Sequence, residues 1–180
     1  MSRHTRALAV LVLLVLATAC GAEGPFPSGA PRVAAPKDLR DIPACALLTP
    51  AQLDAFGFDP RQLRTETQDT TERCLLTHPR YLYSGSVTSA YRWEIGGLDR
   101  LYRNRDLPGS DFIPGTLDGY PTVQEDKEDS NFCAITIGVA DDQLLLVSGG
   151  IISHLETDRT ACNLAREIGS AVLANLPPLR

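Results

Sequence analysis

The sequence predicts an α+β domain: an antiparallel sheet of about five strands, with N-terminal and C-terminal helices packed on one face and two disulfides. Three observations carry this expectation. CAITIGVA (residues 133–140) and QLLLVSGGII (residues 143–152) are apolar, rich in β-branched residues and separated by Asp141-Asp142, the pattern of a central hairpin. Near the C-terminus, Ala161, Leu164, Ala165, Ile168, Val172 and Leu176 form one apolar stripe at helical spacing that stops at Pro177-Pro178. Cys45, Cys74, Cys133 and Cys162 supply an even number of thiols in the body of the chain.

The N-terminus comes first. With 180 residues, 43% hydrophobic and 22% charged, the chain has the makings of one globular domain plus flanking segments. Residues 1–19 read as a lipoprotein signal peptide: Arg3, His4 and Arg6 make a positive start, residues 7–17 are uninterruptedly apolar, and small residues follow. That run is shorter than the roughly 20 residues that span a bilayer. Ala17-Thr18-Ala19-Cys20-Gly21 is similar to a bacterial lipobox, with Ala17 where Leu is usual.

Cysteine arithmetic supports the same reading. Five cysteines cannot all pair, and assigning Cys20 to a diacylglyceryl group leaves four for disulfides in an exported domain. Two or more acyl chains, palmitate among them, are what stable anchoring requires. The expected location is the outer face of the cytoplasmic membrane, with the membrane contacted through lipid on Cys20. Removing Arg3 and Arg6 from the 17 basic residues leaves 15 against 22 acidic ones, a formal charge of −7. An acidic body has no general field to hold nucleic acid or anionic headgroups.

Residues 20–37 read as a tether, with four prolines, three glycines and no apolar period after Cys20. A single domain is expected over 38–180. Its first element is a short helix: Thr49 suits the N-cap, Pro50 the first position, Gln52 the capping box, and Gly57 a left-handed stop, with Leu53 and Phe56 inward. Strands are expected over 73–78 and 86–95, the second placing Val87, Tyr91, Trp93 and Ile95 on one face and Thr88, Arg92 and Glu94 on the other. Trp93 reads as core. Gly96-Gly97 breaks that strand, and residues 98–105 form a helix through Leu98, Leu101 and Tyr102, with Arg100, Arg103 and Arg105 on its solvated side.

From residue 111 the pattern is β again, with turns expected at Pro114-Gly115 and Asp118-Gly119, an edge or first-position Pro121, and a polar loop over 125–131. The last helix is capped by Thr157 or Asp158. Cys162 lies beside its apolar stripe and Cys133 on the apolar face of its strand, which favours Cys133 with Cys162 and leaves Cys45 for Cys74. Four cysteines permit three connectivities, and residue order alone leaves them open.

Taken in order, the lipobox and tether, CALLTPAQLDAFGF, the cysteine of the next β segment, LDRLY, LDGYPTV, CAITIGVADDQ and TACNLAREIGSAVLANLP resemble actinobacterial secreted lipoproteins catalogued as domain of unknown function 3558. Leu75-Leu76 follows Cys74 where the family pattern has a basic residue and Trp. The resemblance implies an envelope lipoprotein with an α+β domain and transfers no catalytic residue.

The chain's own chemistry points to binding. His78 and His154 are the only imidazoles after the signal, and no G-x-S-x-G elbow accompanies Ser153-His154 and Asp158. The sequence holds no H-E-x-x-H, C-x-x-C, P-loop or dinucleotide fingerprint, and Glu125, Asp126, Glu128 and Asp129 lack the EF-hand glycine and final Glu. No catalytic residue, metal site or cofactor is therefore assigned. The expected role is a binding or accessory one toward an envelope protein or polar ligand, because the Thr88, Ala90, Arg92 and Glu94 face is polar. The alternatives are an envelope hydrolase, and a small hydrophobic ligand carrier whose cavity the run 144–147 would line.

Overall fold

The computed structural model describes residues 29–68, 71–90, 97–106, 111–125, 131–152 and 159–180. Cys20, the signal segment, Tyr91, Arg92, Trp93, Glu94, Ile95, Asp126, Glu128, Asp129, Ser153, His154, Thr157 and Asp158 lie outside the described residues.

The strands are β1 (Arg64–Gln68), β2 (Thr71–Thr77), β3 (Tyr83–Ala90), β4 (Ile113–Leu117), β5 (Tyr120–Gln124), β6 (Phe132–Ala140) and β7 (Gln143–Ile151). They form one antiparallel sheet in the order β1-β2-β3-β7-β6-β5-β4. The count exceeds the expected five because both edges escape an apolar pattern. β1 reads RTETQ and is exposed along its whole length, so it has no buried face to announce it. In β4, Pro114-Gly115 was expected to turn the chain; it lies instead within an edge strand, where a missing N–H can face solvent. The turn is Asp118-Gly119, at φ 50° and 84°, which closes a two-residue hairpin. Pro121 belongs to the inner strand β5, one residue before its pairing with β6 starts at Thr122 opposite Ile137.

The helices are α1 (Pro50–Phe56), α2 (Gly97–Arg103) and α3 (Ala161–Asn175). At α1, Gln52 N–H donates to Thr49 Oγ1 (3.2 Å) and Thr49 N–H to Gln52 Oε1 (2.8 Å), and Gly57 ends the helix at φ 78°. α3 is capped at Thr160, whose Oγ1 accepts from Asn163 N–H at 3.1 Å, two or three residues later than expected. Only there does the apolar stripe begin, so a hydroxyl at Thr160 serves the first free amides.

α1 and α3 share one face of the sheet. Leu53, Ile137, Leu145, Val147, Leu164 and Ile168 belong to a single buried cluster, and each such side chain stabilises by about 1.5–3 kcal/mol. α3 approaches closely because Gly149 and Gly169 carry no side chain: a Cβ at Gly149 would strike the Ala161 carbonyl, and one at Gly169 would meet Leu117 Cδ2 at 2.9 Å. Two disulfides hold the same face, Cys45 to Cys74 and Cys133 to Cys162, each with a Cα separation of 4.9 Å. This is the sequential connectivity among the three possible.

Domain contacts begin before residue 38. Ala30 is fully buried beside Leu98, Tyr120 Oη donates to Ala35 O (2.8 Å), and Lys37 N–H to Val139 O (2.8 Å). Lys37 also bridges to Pro178, so the segment entering the domain lies beside the one leaving it.

Candidate functional site

The second face of the sheet is where a site is built. α2 covers one end of it: Leu98 rests on Gly138, whose missing Cβ makes room, and packs with Ala90, Val123 and Leu144. Tyr102 and Phe112 extend this small cluster, their rings 5.0 Å apart and edge to face. Beyond α2, no described helix covers this face.

Strand register sets out the uncovered part. Directly paired residues share a face, so one row runs Arg64, Leu75, Ser86, Ser148, Ala134 across β1, β2, β3, β7 and β6. The next row toward α2 is Glu66, Arg73, Thr88, Leu146, Thr136, and the row on the other side is Thr77, Ser84, Gly150, Phe132. The middle of this grid is small. Ser86 and Ser148 are sunk to 9% and 8% exposure, while Phe132 at 49% and the half-buried Leu75 and Leu146 stand around them. The result is a concavity of about 370 Å³ with Ser86, Ser148 and Ala134 low in it and Leu75, Leu146 and Phe132 around them. A second of about 380 Å³ adjoins it, shares Leu75 and Thr77, and adds Arg61, Arg64 and Tyr81. Both volumes fall in the range of ligand sites.

Among the described residues, the lining of the two concavities includes Arg61, Arg64 and Arg73 and no carboxylate. Arg61 is paired with Asp59 at 3.0 Å, and that hydrogen bond holds the Asp59 carboxyl below its ordinary range. Arg73 Nε–H donates to Thr88 Oγ1 at 3.3 Å, which leaves the hydroxyl proton of Thr88 to donate elsewhere. Ser86 and Ser148 hydroxyls are hydrogen-bonded to each other at 2.8 Å. Glu66, opposite Arg73 in the ladder, is the nearest carboxylate by register.

The residues singled out from sequence fall elsewhere. The four body cysteines secure the helical face. Arg103 pairs with Asp99 within α2, and Arg105 lies 3.5 Å from Asp106. Of the run 144–147, Leu145 and Val147 enter the core, Leu144 packs beside α2, and Leu146 lines the first concavity. His78 accepts from Arg80 N–H through Nδ1 (3.2 Å) and packs 4.5 Å from the Tyr83 ring. Among the described residues no group of three or more His, Cys, Asp or Glu is placed to hold a metal ion. Arg64, Arg73, Ser84, Ser148, Tyr81 and Phe132 were not anticipated. The signal for them is alternation in SGSVTSA and LVSGG, which sets serine, threonine and glycine where a solvated sheet face ordinarily carries long charged side chains.

These features define a class, a disulfide-stapled α+β domain with an open, arginine-edged sheet face. A family model described as "Protein of unknown function (DUF3558)" matches residues 15–175, and the chain belongs to that family. No curated protein and no solved structure matches it.

Proposed function

We propose that this protein is an exported lipoprotein, anchored by a diacylglyceryl thioether at Cys20 to the outer face of the cytoplasmic membrane, whose domain binds a polar ligand or envelope partner on the uncovered sheet face without catalysing a reaction. One observation carries the anchoring. The chain has five cysteines, the fold pairs four of them, and the one left over follows an apolar run and small residues at residue 20. The family match starts at residue 15 and so takes in Cys20. With Ala30 held by the domain, ten residues separate the anchor from the folded body, an extended span of at most roughly 30 Å.

Metabolic labelling with an alkyne fatty acid tests the anchor. The wild-type chain takes the label and fractionates with membranes, and Cys20→Ala loses both; an intact mass showing residue 20 unmodified refutes it. A photo-crosslinker at Phe132 in intact cells tests the binding face, with Asn163 on the exposed side of α3 as control. Adducts at Phe132 and none at Asn163 are expected, and equal yields at the two positions refute the assignment.

A further inference from the structure

Resting on the binding role just proposed, we infer that the ligand is an acidic saccharide laid across the two adjoining concavities. Charge gives the first argument. In a chain of formal charge −5, the described lining offers Arg64 and Arg73, besides the Arg61 that Asp59 already pairs, and no carboxylate among the described residues, so the groove complements an anion, and a guanidinium fork matches a carboxylate in two-point geometry.

The floor gives the second. The Ser86–Ser148 pair, after its mutual bond, retains one donor and three acceptor positions, and Thr88 retains its donor. Sugar hydroxyls both donate and accept and so satisfy such a floor, whereas an acyl chain laid there strips these groups of water and returns nothing.

Shape gives the third. Tyr81, 65% exposed, and Phe132, 49% exposed, sit on the second and first concavity respectively, and each offers a flat apolar ring to the C–H face of a pyranose. From Arg64 on β1 to Phe132 on β6 there are four interstrand steps, roughly 19 Å at about 4.8 Å per strand. That is the span of a short oligosaccharide rather than of a single ring.

The test uses the full exported chain in a polyoxyethylene detergent, since sugar detergents would compete, titrated with trigalacturonate, maltotriose, citrate and hexaglutamate by calorimetry and by amide shifts. Trigalacturonate is expected to bind at least tenfold more tightly than each of the others, to shift Ser86 and Ser148, and to weaken with salt. Arg73→Gln and Arg64→Gln each reduce its affinity tenfold or more, Phe132→Ala and Tyr81→Ala reduce it severalfold, and Glu66→Gln increases it. Unchanged thermal melts show that the variants remain folded. Equal binding of maltotriose or citrate overturns the saccharide-plus-charge argument, tighter binding of hexaglutamate assigns the groove to an acidic peptide, and no binding of trigalacturonate overturns the proposal. Crosslinking from Phe132 judges the broader binding role separately, so the two readings fail by different results.

Discussion

Removing the two disulfides one at a time gives the sharpest check on the energetics. Each bridge has the same sequence separation, 29 residues, so chain entropy assigns each the same stabilisation, roughly 3.5 kcal/mol. Any difference must come from packing. Cys133 and Cys162 are both fully buried, whereas Cys45 is only half-buried, with Thr65 Oγ1 3.4 Å from its sulfur. Replacing Cys133 and Cys162 by alanine leaves two sulfur-sized voids against α3, each costing about 1 kcal/mol. Cys74 is fully buried too, so the Cys45→Ala/Cys74→Ala chain, with one such void, is expected to lose roughly 4.5 kcal/mol and the Cys133→Ala/Cys162→Ala chain, with two, roughly 5.5 kcal/mol. Urea unfolding with linear extrapolation measures both, and each variant should show a steeper slope because its denatured state expands. A larger loss from the Cys45–Cys74 pair, or a loss below about 1 kcal/mol from either, refutes this account. The same exposure difference orders their reduction: under limiting phosphine, alkylation should appear at Cys45 before Cys133.

The remaining predictions address single positions. Gly149→Ala drives a Cβ against the Ala161 carbonyl, a backbone group that moves only if the start of α3 lifts; a loss of about 2–3 kcal/mol is expected in thermal or urea melts. Gly169→Ala meets only side-chain ends, Leu117 Cδ2 and Ile137 Cδ1, and gains about 1 kcal/mol of helix propensity, so it should be near neutral, whereas Gly169→Val should destabilise. Thr49→Ala removes the acceptor of the capping box and should cost about 1 kcal/mol. The Asp38 carboxyl, held by its hydrogen bond to the Arg40 guanidinium, titrates at about 2. Because its folded value lies below the ordinary one, its contribution to stability is complete above about pH 4 and is lost as pH falls toward 2. Carbon-detected NMR should place the midpoint there and return it toward the ordinary range in Arg40→Gln.

How much of this was legible in the sequence depends on how local each cause is. The capping box at Thr49-Pro50-Ala51-Gln52, the Asp118-Gly119 turn and the central hairpin are set by residues within a few positions, and the structure has them where their chemistry puts them. The cysteine pairing was readable because element placement puts Cys133 and Cys162 on facing surfaces. β1 was not readable, since a fully exposed edge strand has no buried side to impose a period of two. At Pro114-Gly115 turn chemistry and an edge-strand position look alike until the sheet order is known. The start of α3 was misplaced because three hydroxyl or carboxylate residues compete for the cap, and only the packing of Ala161 against Gly149 selects Thr160.

The candidate groove was hidden for a different reason. Which part of a sheet stays uncovered is decided by where its helices land, and α2 lands through a non-local fit of Leu98 over Gly138. Once that end is filled, the serine-rich middle is left outside. Both disulfides and the two largest helix contacts act on the opposite face, so the groove side contributes little to the core and is free to carry small residues. Its floor is nevertheless rigid, because β3, β7 and β6 are inner strands paired on both sides. A ligand entering such a preformed floor orders few protein groups, and less of its interaction energy is spent on that ordering. Stapling one face thus supports recognition on the other, and loosening the staple should weaken binding even when no groove residue is touched.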